Sequence, residues 1–222
     1  MTCRAVLFDL DGTLLNSIDG IVACFEMVLA EFQPGHKFSR HDMIMKIGEP
    51  VPKQMLEFSG GLSDQVDPMV KKYRALMGER LATFPLYDGT RETLQVLKAK
   101  GFVTGLVTSK SRGPTEISLV QHDLHHLFDV IVTADDTQIH KPNPEPLYFA
   151  AKKIRVALSD ILFVGDSIHD INCAHAAGSS AGAAYWGPFP RSILDALRPK
   201  FGFESLPEIP LRLAEFDTRD PS

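Results

Sequence analysis

The feature that most constrains the fold is a short apolar run, residues 5–8, that ends in two closely spaced carboxylates. The run continues directly into Asp9-Leu10-Asp11-Gly12-Thr13. A strand that is buried on both faces of a parallel sheet has this uninterrupted apolar character. Ligands of open α/β sheets bind beyond the carboxyl ends of such strands, so Asp9 and Asp11 are predicted at a binding site. Taken alone, the pair has a second explanation, because Asp-Gly is frequent in turns and Asp often caps a following helix.

Size and composition narrow the class of protein. The chain has 222 residues, a net charge of −5 and three cysteines, and this length suits one large domain or a domain with an insert. The acidic balance gives no long-range attraction for nucleic acid or an anionic membrane surface, so the expected partner is a small molecule. Cys3, Cys24 and Cys173 are odd in number and far apart, which favours a reducing compartment over a disulfide framework. Since no apolar stretch reaches about 18 residues, a soluble cytoplasmic protein is expected.

A helical segment separates the first strand from the rest of the pattern. Apolar residues recur at helical spacing from Ile18 to Phe32, which indicates a helix with one buried face. The chain beyond it continues with helical patterns broken by glycine and proline, and no strand is predicted there. We therefore predict a small helical domain at residues 17–82, inserted into a core domain formed by residues 1–16 and 83–222.

Alternation of helix and strand resumes after the insert. Strands are predicted at residues 102–107, 129–134, 161–164 and 181–185, with helical patterns between them. Repeated βα units imply a parallel sheet with helices on both faces. The expected fold class is α/β, a Rossmann-like doubly wound parallel sheet with an inserted small helical domain. The last segment of the chain is weakly patterned and receives no prediction.

Polar side chains follow the ends of four predicted strands, namely the first strand of the chain and the next three. They are Asp9 and Asp11, then Thr108-Ser109-Lys110, then Lys141, and finally Asp166 with Asp170. Because the carboxyl ends of parallel strands meet at one edge of a sheet, we expect these side chains to converge. Carboxylates, hydroxyls and a lysine together suit a phosphoryl group and a hard cation.

These motifs resemble those of the haloacid dehalogenase superfamily, specifically the branch of phosphohydrolases with a helical cap inserted after the first strand. The resemblance covers nearly the whole chain and is nearest to phosphoglycolate phosphatase-like members and PpaX-type pyrophosphatases. It is carried also by Pro34-Gly35, Ile47-Gly48, Lys141–Pro146, Gly165–Ile171 and Ala181–Gly187. It implies a Mg²⁺-dependent hydrolase of a small phosphorylated metabolite.

The resemblance also implies a role for each catalytic candidate. Asp9 would attack phosphorus and form an aspartyl-phosphate, as a carboxylate does once charge repulsion is offset. Asp11 would protonate the leaving oxygen and later take a proton from water. Thr108 would hydrogen-bond the transferring phosphoryl group, although a hydroxyl there could simply cap a helix. Lys141 would neutralise the charge of nucleophile and phosphate, although a lysine is usually a solvated surface residue.

A magnesium site is implied at the same strand ends. Its ligands would be Asp9, Asp166 and the backbone carbonyl of Asp11, which are hard oxygen donors of the kind Mg²⁺ prefers. Asp170 would be either a ligand through water or a partner for Lys141, and an acidic residue in the first turn of a helix is the alternative. His169 and His175 lack the spacing with acidic residues that is typical of a transition-metal site, and they are predicted to be ordinary surface or helix residues.

Substrate choice is expected to come from the cap, which closes over the leaving group in this family. The substrate candidates are Lys46, Gly48, Glu49 and Lys53 near the Gly48 turn, and Ser109, Lys110 and Arg112 beyond the second strand. For the charged cap residues, ordinary solvated charge is the alternative. A basic cap side chain would favour an anionic leaving group such as glycolate or phosphate.

Two other functions fit the same motifs. A phosphosugar mutase would keep Asp11 and return the phosphoryl group to a sugar, and a catalytically silent protein would only sense a phosphorylated ligand. A monomer and a homodimer are both compatible with the sequence.

Overall fold

The structure, a computed structural model, describes residues 3–35 and 38–217. Its strands are β1 (Ala5–Phe8), β2 (Val103–Val107), β3 (Val130–Val132), β4 (Ile161–Gly165), β5 (Ser180–Ala184) and β6 (Phe201–Phe203). Its α-helices are α1 (Ile18–Phe32), α2 (Arg40–Lys46), α3 (Val51–Phe58), α4 (Ser63–Gly78), α5 (Thr90–Ala99), α6 (Arg112–Gln121), α7 (Glu145–Ile154), α8 (Ile168–Ala177), α9 (Arg191–Ala196) and α10 (Glu208–Asp217).

The strands form one parallel sheet in the order β3-β2-β1-β4-β5-β6. Strand β1 is central, and its residue Leu7 pairs with Gly105 on one side and Phe163 on the other. Alternate residues of β1 enter two separate apolar cores, with Ala5 and Leu7 on one face and Val6 and Phe8 on the other. The expected α/β fold with a parallel sheet between helical layers is confirmed, and burial on both faces explains the uninterrupted apolar run.

Four helices, α1 to α4, occupy the stretch predicted as a helical insert. They pack around aromatic residues, and the ring of Phe25 stacks on Tyr73 with 4.9 Å between centroids and meets the edge of Phe58 at 5.5 Å. The two segments that connect the insert to the rest of the chain lie side by side, because the Asn16 N–H donates a hydrogen bond to the carbonyl of Pro85 at 2.9 Å. The exact domain boundaries stay a prediction.

The end of the chain adds to the sheet, although its sequence pattern gave no prediction. Strand β6 pairs with β5, and its Phe201 and Phe203 are buried in the core that also contains α1 and α5. Its three residues, Phe-Gly-Phe, are too few to show an alternation that identifies a strand. Among the described helices, none is both long enough and apolar enough to cross a membrane.

Strand β6 is expected to contribute to stability as a core element. Phe203 has no exposed surface, so Phe203→Ala should lower the free energy of unfolding by about 3–5 kcal/mol through lost burial and the cavity left behind. In the adjoining helix α10, Leu211 is 63% exposed, and the control Leu211→Ala should change it by less than about 0.5 kcal/mol. Urea unfolding followed by circular dichroism measures both, and equal effects would contradict a structural role for β6.

Candidate active site

Three neighbouring strands deliver their polar residues to one edge of the sheet. The Asp9 N–H donates to the carbonyl of Val164 at 3.0 Å, so β1 keeps its pairing with β4 up to the carboxylate. The Thr108 N–H likewise donates to the carbonyl of Val132 at 2.9 Å, and Asp166 directly follows β4. Because β2, β1 and β4 are adjacent in the sheet, the three side chains stand in one row. The convergence expected from the sequence is therefore observed.

A buried lysine joins two of the carboxylates. Lys141, from the loop between β3 and α7, places Nζ 2.8 Å from Asp9 Oδ1 and 2.6 Å from Asp170 Oδ1, and it also donates to the carbonyl of Val107 at 3.3 Å. Only 3% of Lys141 is exposed, so the alternative of a solvated surface lysine does not hold. Burial alone would lower its pKa, but Asp170 and Asp9 outweigh that effect and raise the pKa of Lys141 above its usual range.

The carboxylates outnumber the ammonium group that balances them. Oxygens of Asp9, Asp166 and Asp170 lie within 4.8 Å of one another, and the three residues are buried. Burial, with the nearby charge of Asp170, raises the pKa of Asp9 to about 7 even though Lys141 opposes the shift. Burial and the charges of Asp170 and Asp9 also raise the pKa of Asp166. A set of hard oxygen donors with excess negative charge fits a divalent cation, so these residues can hold a metal ion.

Asp166 is held by groups from the first motif. The Thr13 hydroxyl donates to Asp166 Oδ1 at 2.6 Å, and the Trp186 indole donates to the carbonyl of Thr13 at 2.8 Å. Gly12 has φ +88°, and a Cβ there would lie 2.5 Å from Asp166 Oδ2. A side chain at residue 12 would therefore collide with the carboxylate, which explains the glycine after Asp11.

Asp170 has both of its oxygens engaged by the protein. Oδ1 accepts from Lys141, while Oδ2 accepts from the Ser167 N–H at 3.1 Å and the Ser167 hydroxyl at 2.5 Å in a capping box at the start of α8. Two of the alternatives that the sequence left open are therefore both observed, because Asp170 is the partner of Lys141 and also an acidic residue in the first turn of a helix.

One of the two carboxylate oxygens of Asp11 accepts hydrogen bonds from the described residues, and the other accepts none from them. Its Oδ1 accepts from Lys110 Nζ at 2.9 Å and from the Ser17 hydroxyl at 2.6 Å, while Oδ2 has no hydrogen-bond partner among the described residues. Lys110, a substrate candidate from the sequence, is therefore an ion-pair partner of Asp11. Thr108 Oγ1 accepts from the Lys110 N–H at 3.2 Å, and the buried Ser109 hydroxyl has no hydrogen-bond partner in the described part of the chain.

A cavity of about 680 Å³ lies between this row of residues and the helical insert. Asp9, Asp11, Thr108, Ser109, Lys110 and Asp166 line it from the sheet side, and Gly48 and Glu49 line it from the insert. The turn at Gly48 touches the core, since a Cβ there would lie 3.0 Å from Cδ2 of His169. Burial lowers the pKa of His169, a residue predicted from the sequence to be ordinary.

Three of the charged substrate candidates do not line this cavity. Lys46 forms an ion pair with Glu57, and Lys53 Nζ lies 3.3 Å from Glu49 Oε1. Arg112 Nη2 lies 2.5 Å from Asp136 Oδ2, beside the cavity. Their proposed role in substrate binding has no support from this arrangement.

The structure brings other residues of the insert to the cavity instead. One stripe of α4 and the turn that follows it lines the cavity with Tyr73, Arg74, Met77, Gly78 and Leu81. A signal for it was present in the sequence, because these positions follow helical spacing and place one arginine beside an apolar face. Gln54, which is 3% exposed, also lines the cavity and has a buried Oε1 without a hydrogen-bond partner in the described residues.

The fold and this row of residues define a class of hydrolase with an active site at the carboxyl edge of a parallel sheet. Residues 6–184 match the family model described as haloacid dehalogenase-like hydrolase, and the chain belongs to that family. The expected resemblance is confirmed, as is the expected enzyme class, a hydrolase of the phosphatase type.

Relatives and solved structures match almost from end to end. Pyrophosphatase PpaX of Bacillus pumilus is 36% identical over 211 residues, which are 94% of this chain and 95% of that protein. The crystal structure of a candidate phosphoglycolate phosphatase from Lactobacillus plantarum is 31% identical with a TM-score of 0.85, over 96% of this chain and all of that one. A candidate haloacid dehalogenase-like hydrolase from Bacteroides fragilis is 28% identical with a TM-score of 0.86, over 94% of this chain and all of that one.

Crowding of the carboxylates should cost stability when no cation is present. The folded-state pKa of Asp9, about 7, lies above its usual value of 3.8, so the folded protein loses stability as pH rises from about 4 to about 7. In chelator, Asp9→Asn should therefore be the more stable protein, by about 1–3 kcal/mol at pH 8 and by less at pH 5. Urea unfolding at the two pH values measures this.

The control for that comparison is Asp67→Asn, which removes a charge from an exposed position of the helical insert. It should leave the pH dependence of the parent unchanged. A destabilised Asp9→Asn protein at pH 8 would contradict the picture of three carboxylates in excess over their counter-charge.

Proposed function

We propose that this hydrolase is a Mg²⁺-dependent enzyme that removes a phosphoryl group from a small phosphorylated metabolite through an aspartyl-phosphate at Asp9. The observation that carries the proposal is the position of Asp9, a buried carboxylate that lines the cavity while Lys141 contacts its Oδ1 at 2.8 Å. The family membership of the chain supports the same chemistry.

Asp9 would act as the nucleophile. Its carboxylate must be ionised to attack phosphorus, and burial opposes ionisation by raising its pKa to about 7. Lys141 counteracts this effect, and a bound cation would lower the pKa further because positive charge favours the ionised form. Lys141 is fixed by Asp170 and the carbonyl of Val107, so its charge stays beside the reacting carboxylate without reorganisation.

Magnesium is the cation that best fits the donor set. Carboxylate oxygens of Asp9 and Asp166 would hold it together with the backbone carbonyl of Asp11, and Mg²⁺ readily keeps water for its remaining positions. Asp170 would act through water, since both of its oxygens already accept protein hydrogen bonds. When bound, the ion supplies positive charge that offsets repulsion between the Asp9 carboxylate and the phosphoryl oxygens.

Hydroxyl groups after β2 are available for the phosphoryl oxygens. Thr108 uses its Oγ1 as an acceptor for the Lys110 N–H, which leaves its hydroxyl hydrogen free to donate into the cavity. Ser109 has a buried hydroxyl that lines the cavity and lacks a partner in the described residues. A buried donor without a partner costs free energy, and a phosphoryl oxygen would satisfy it.

Asp11 would move the protons. Lys110 and Ser17 hold Oδ1, so Oδ2 would carry the proton when the substrate binds and donate it to the leaving oxygen as Asp9 attacks and the bond from phosphorus to that oxygen breaks. Water then attacks phosphorus of the aspartyl-phosphate and gives a proton to Oδ2 of Asp11. The bond from Asp9 to phosphorus breaks, and phosphate leaves with the carboxylate of Asp9 and the proton of Asp11 both restored.

The first test removes the nucleophile and the metal separately. Asp9→Asn should lower phosphate release from pyrophosphate and 2-phosphoglycolate by at least about 1,000-fold, because the amide at residue 9 cannot form the covalent intermediate. A chelator should abolish release by the parent, and added Mg²⁺ should restore it. Asp67→Asn, already used as a stability control, should retain the parent rate.

Activity of a folded Asp9→Asn protein would overturn the assignment of the nucleophile. Hexose 1-phosphate belongs in the same assay, because conversion to hexose 6-phosphate without phosphate release would favour the mutase. Binding of phosphorylated compounds without turnover of any of them would favour the sensor.

A second test separates the two chemical steps at Asp11. With p-nitrophenyl phosphate, whose leaving group departs without a proton, Asp11→Asn should still form the aspartyl-phosphate but hydrolyse it slowly. A burst of about one equivalent of p-nitrophenol followed by slow release is the expected signature of an accumulating covalent intermediate. Mass spectrometry of the quenched protein should find one phosphoryl group on Asp9, and a steady rate without a burst would contradict the role of Asp11 in the second step.

A further inference from the structure

We propose that Arg74 binds a second anionic group of the substrate, which belongs to the leaving group. The proposal rests on the proposed function and names the class of substrate, a phosphoryl compound whose leaving group carries its own phosphate or carboxylate. Arg74 lies on α4 and lines the cavity from the side of the helical insert.

Arg74 lies at the border between the buried and the exposed face of α4. Tyr73 and Met77 are buried, and Leu81 in the following turn is buried as well, whereas Arg74 and the next residue, Ala75, are exposed. Because Arg74 also lines the cavity, a dissolved ligand can reach its guanidinium.

Arg74 is also the cation of the cavity whose charge is not compensated. Of the lysines and arginines in the described part of the chain, Lys110 and Arg74 line the cavity. Lys110 is paired with Asp11 at 2.9 Å, whereas the Arg74 guanidinium has no ion-pair or hydrogen-bond partner among the described residues. A guanidinium in this state can bind a phosphate or a carboxylate through two parallel hydrogen bonds.

The rest of the insert, as far as the structure describes it, offers little else for an anion. Among its described residues the other charged one that lines the cavity is Glu49, which would repel an anion and is paired with Lys53 at 3.3 Å. Most of the remaining surface from the insert is apolar, with Ile21, Phe25, Val51 and Met77 as examples. An anionic leaving group that turns toward the insert would thus find its counter-charge at Arg74.

The arrangement separates two anion sites within one cavity. The phosphoryl group that is transferred belongs at the strand ends, next to Asp9 and the hydroxyls of Thr108 and Ser109. Arg74 approaches from the opposite layer, where the leaving group must lie. A substrate with an anion at each end can engage both sites, while a phosphate ester with a neutral leaving group engages only the first. Arg74 therefore acts as a specificity residue.

Binding to an inactive protein tests this without relying on turnover. In the full-length Asp9→Asn background with Mg²⁺, calorimetry compares the dissociation constants of 2-phosphoglycolate, pyrophosphate and phenyl phosphate. Adding Arg74→Gln should weaken binding of the first two by about 10-fold or more relative to phenyl phosphate, as expected for a lost charge-assisted hydrogen-bonded pair. Arg74→Lys should lose less than Arg74→Gln, because the charge remains but the fork of donors does not.

Lys71→Gln is the matched control, since it removes the same charge from an exposed position of the same helix that does not line the cavity. It should leave all three dissociation constants within about twofold, and thermal melting verifies that each variant is folded. A selective loss for 2-phosphoglycolate alone identifies a carboxylate as the second anion, and a selective loss for pyrophosphate alone identifies a phosphate; both support the proposal.

Equal weakening for all three ligands, no weakening, or no binding of the two doubly anionic ligands would overturn it. Failure of the proposed function is a separate result, namely a parent protein without Asp9-dependent phosphate release. Selective binding through Arg74 in such a protein would uphold this inference while favouring the sensor.

Discussion

The contact of Lys141 with Asp9 and Asp170 is the interaction on which the site depends. It brings three chain segments together at the sheet edge, at distances of 2.8 and 2.6 Å, away from solvent. Buried charges are costly unless they are paired and hydrogen-bonded. Here one ammonium group faces Asp9 and Asp170 while Asp166 lies nearby, so the protein alone leaves the carboxylates short of positive charge. That imbalance lowers the stability of the folded protein and favours binding of a cation, a common relation between stability and function at active sites.

The sheet makes this crowding possible. Strands β2, β1 and β4 are adjacent and parallel, so residues that are about a hundred positions apart in sequence, such as Asp11 and Lys110, come within 2.9 Å. The backbone amides of Asp9 and Thr108 remain in the ladder, which holds their side chains on rigid elements rather than on mobile loops. Positioning by the sheet limits the reorganisation that the site must undergo during the proposed reaction.

The helical insert contributes the opposite half of the cavity, and its surface is chemically different. The sheet side carries carboxylates and hydroxyls, whereas the described lining of the insert is mostly apolar, with Glu49 and Arg74 as its charged residues. The turn at Gly48 lies against His169, which brings the two halves together next to Asp170 of α8. The division fits an enzyme in which the sheet edge performs the chemistry and the insert selects the leaving group.

The sequence by itself determined five of the six described strands of the sheet and the row of residues at its edge. The apolar run before Asp9 predicts a strand because β1 is buried on both faces. The positions of Thr108, Lys141 and Asp166 after their strands suffice to place these residues at one edge, because parallel strands share their direction. Strand β6 was not predicted, because a strand of three residues is too short to show a periodic pattern. Only the tertiary structure decided which charges of the insert reach the cavity. Lys46 forms an ion pair with Glu57 and Lys53 forms one with Glu49, while Arg74 lines the cavity. The physical reason is that side-chain partners within the insert depend on how its helices pack, and packing brings together residues that no local pattern relates.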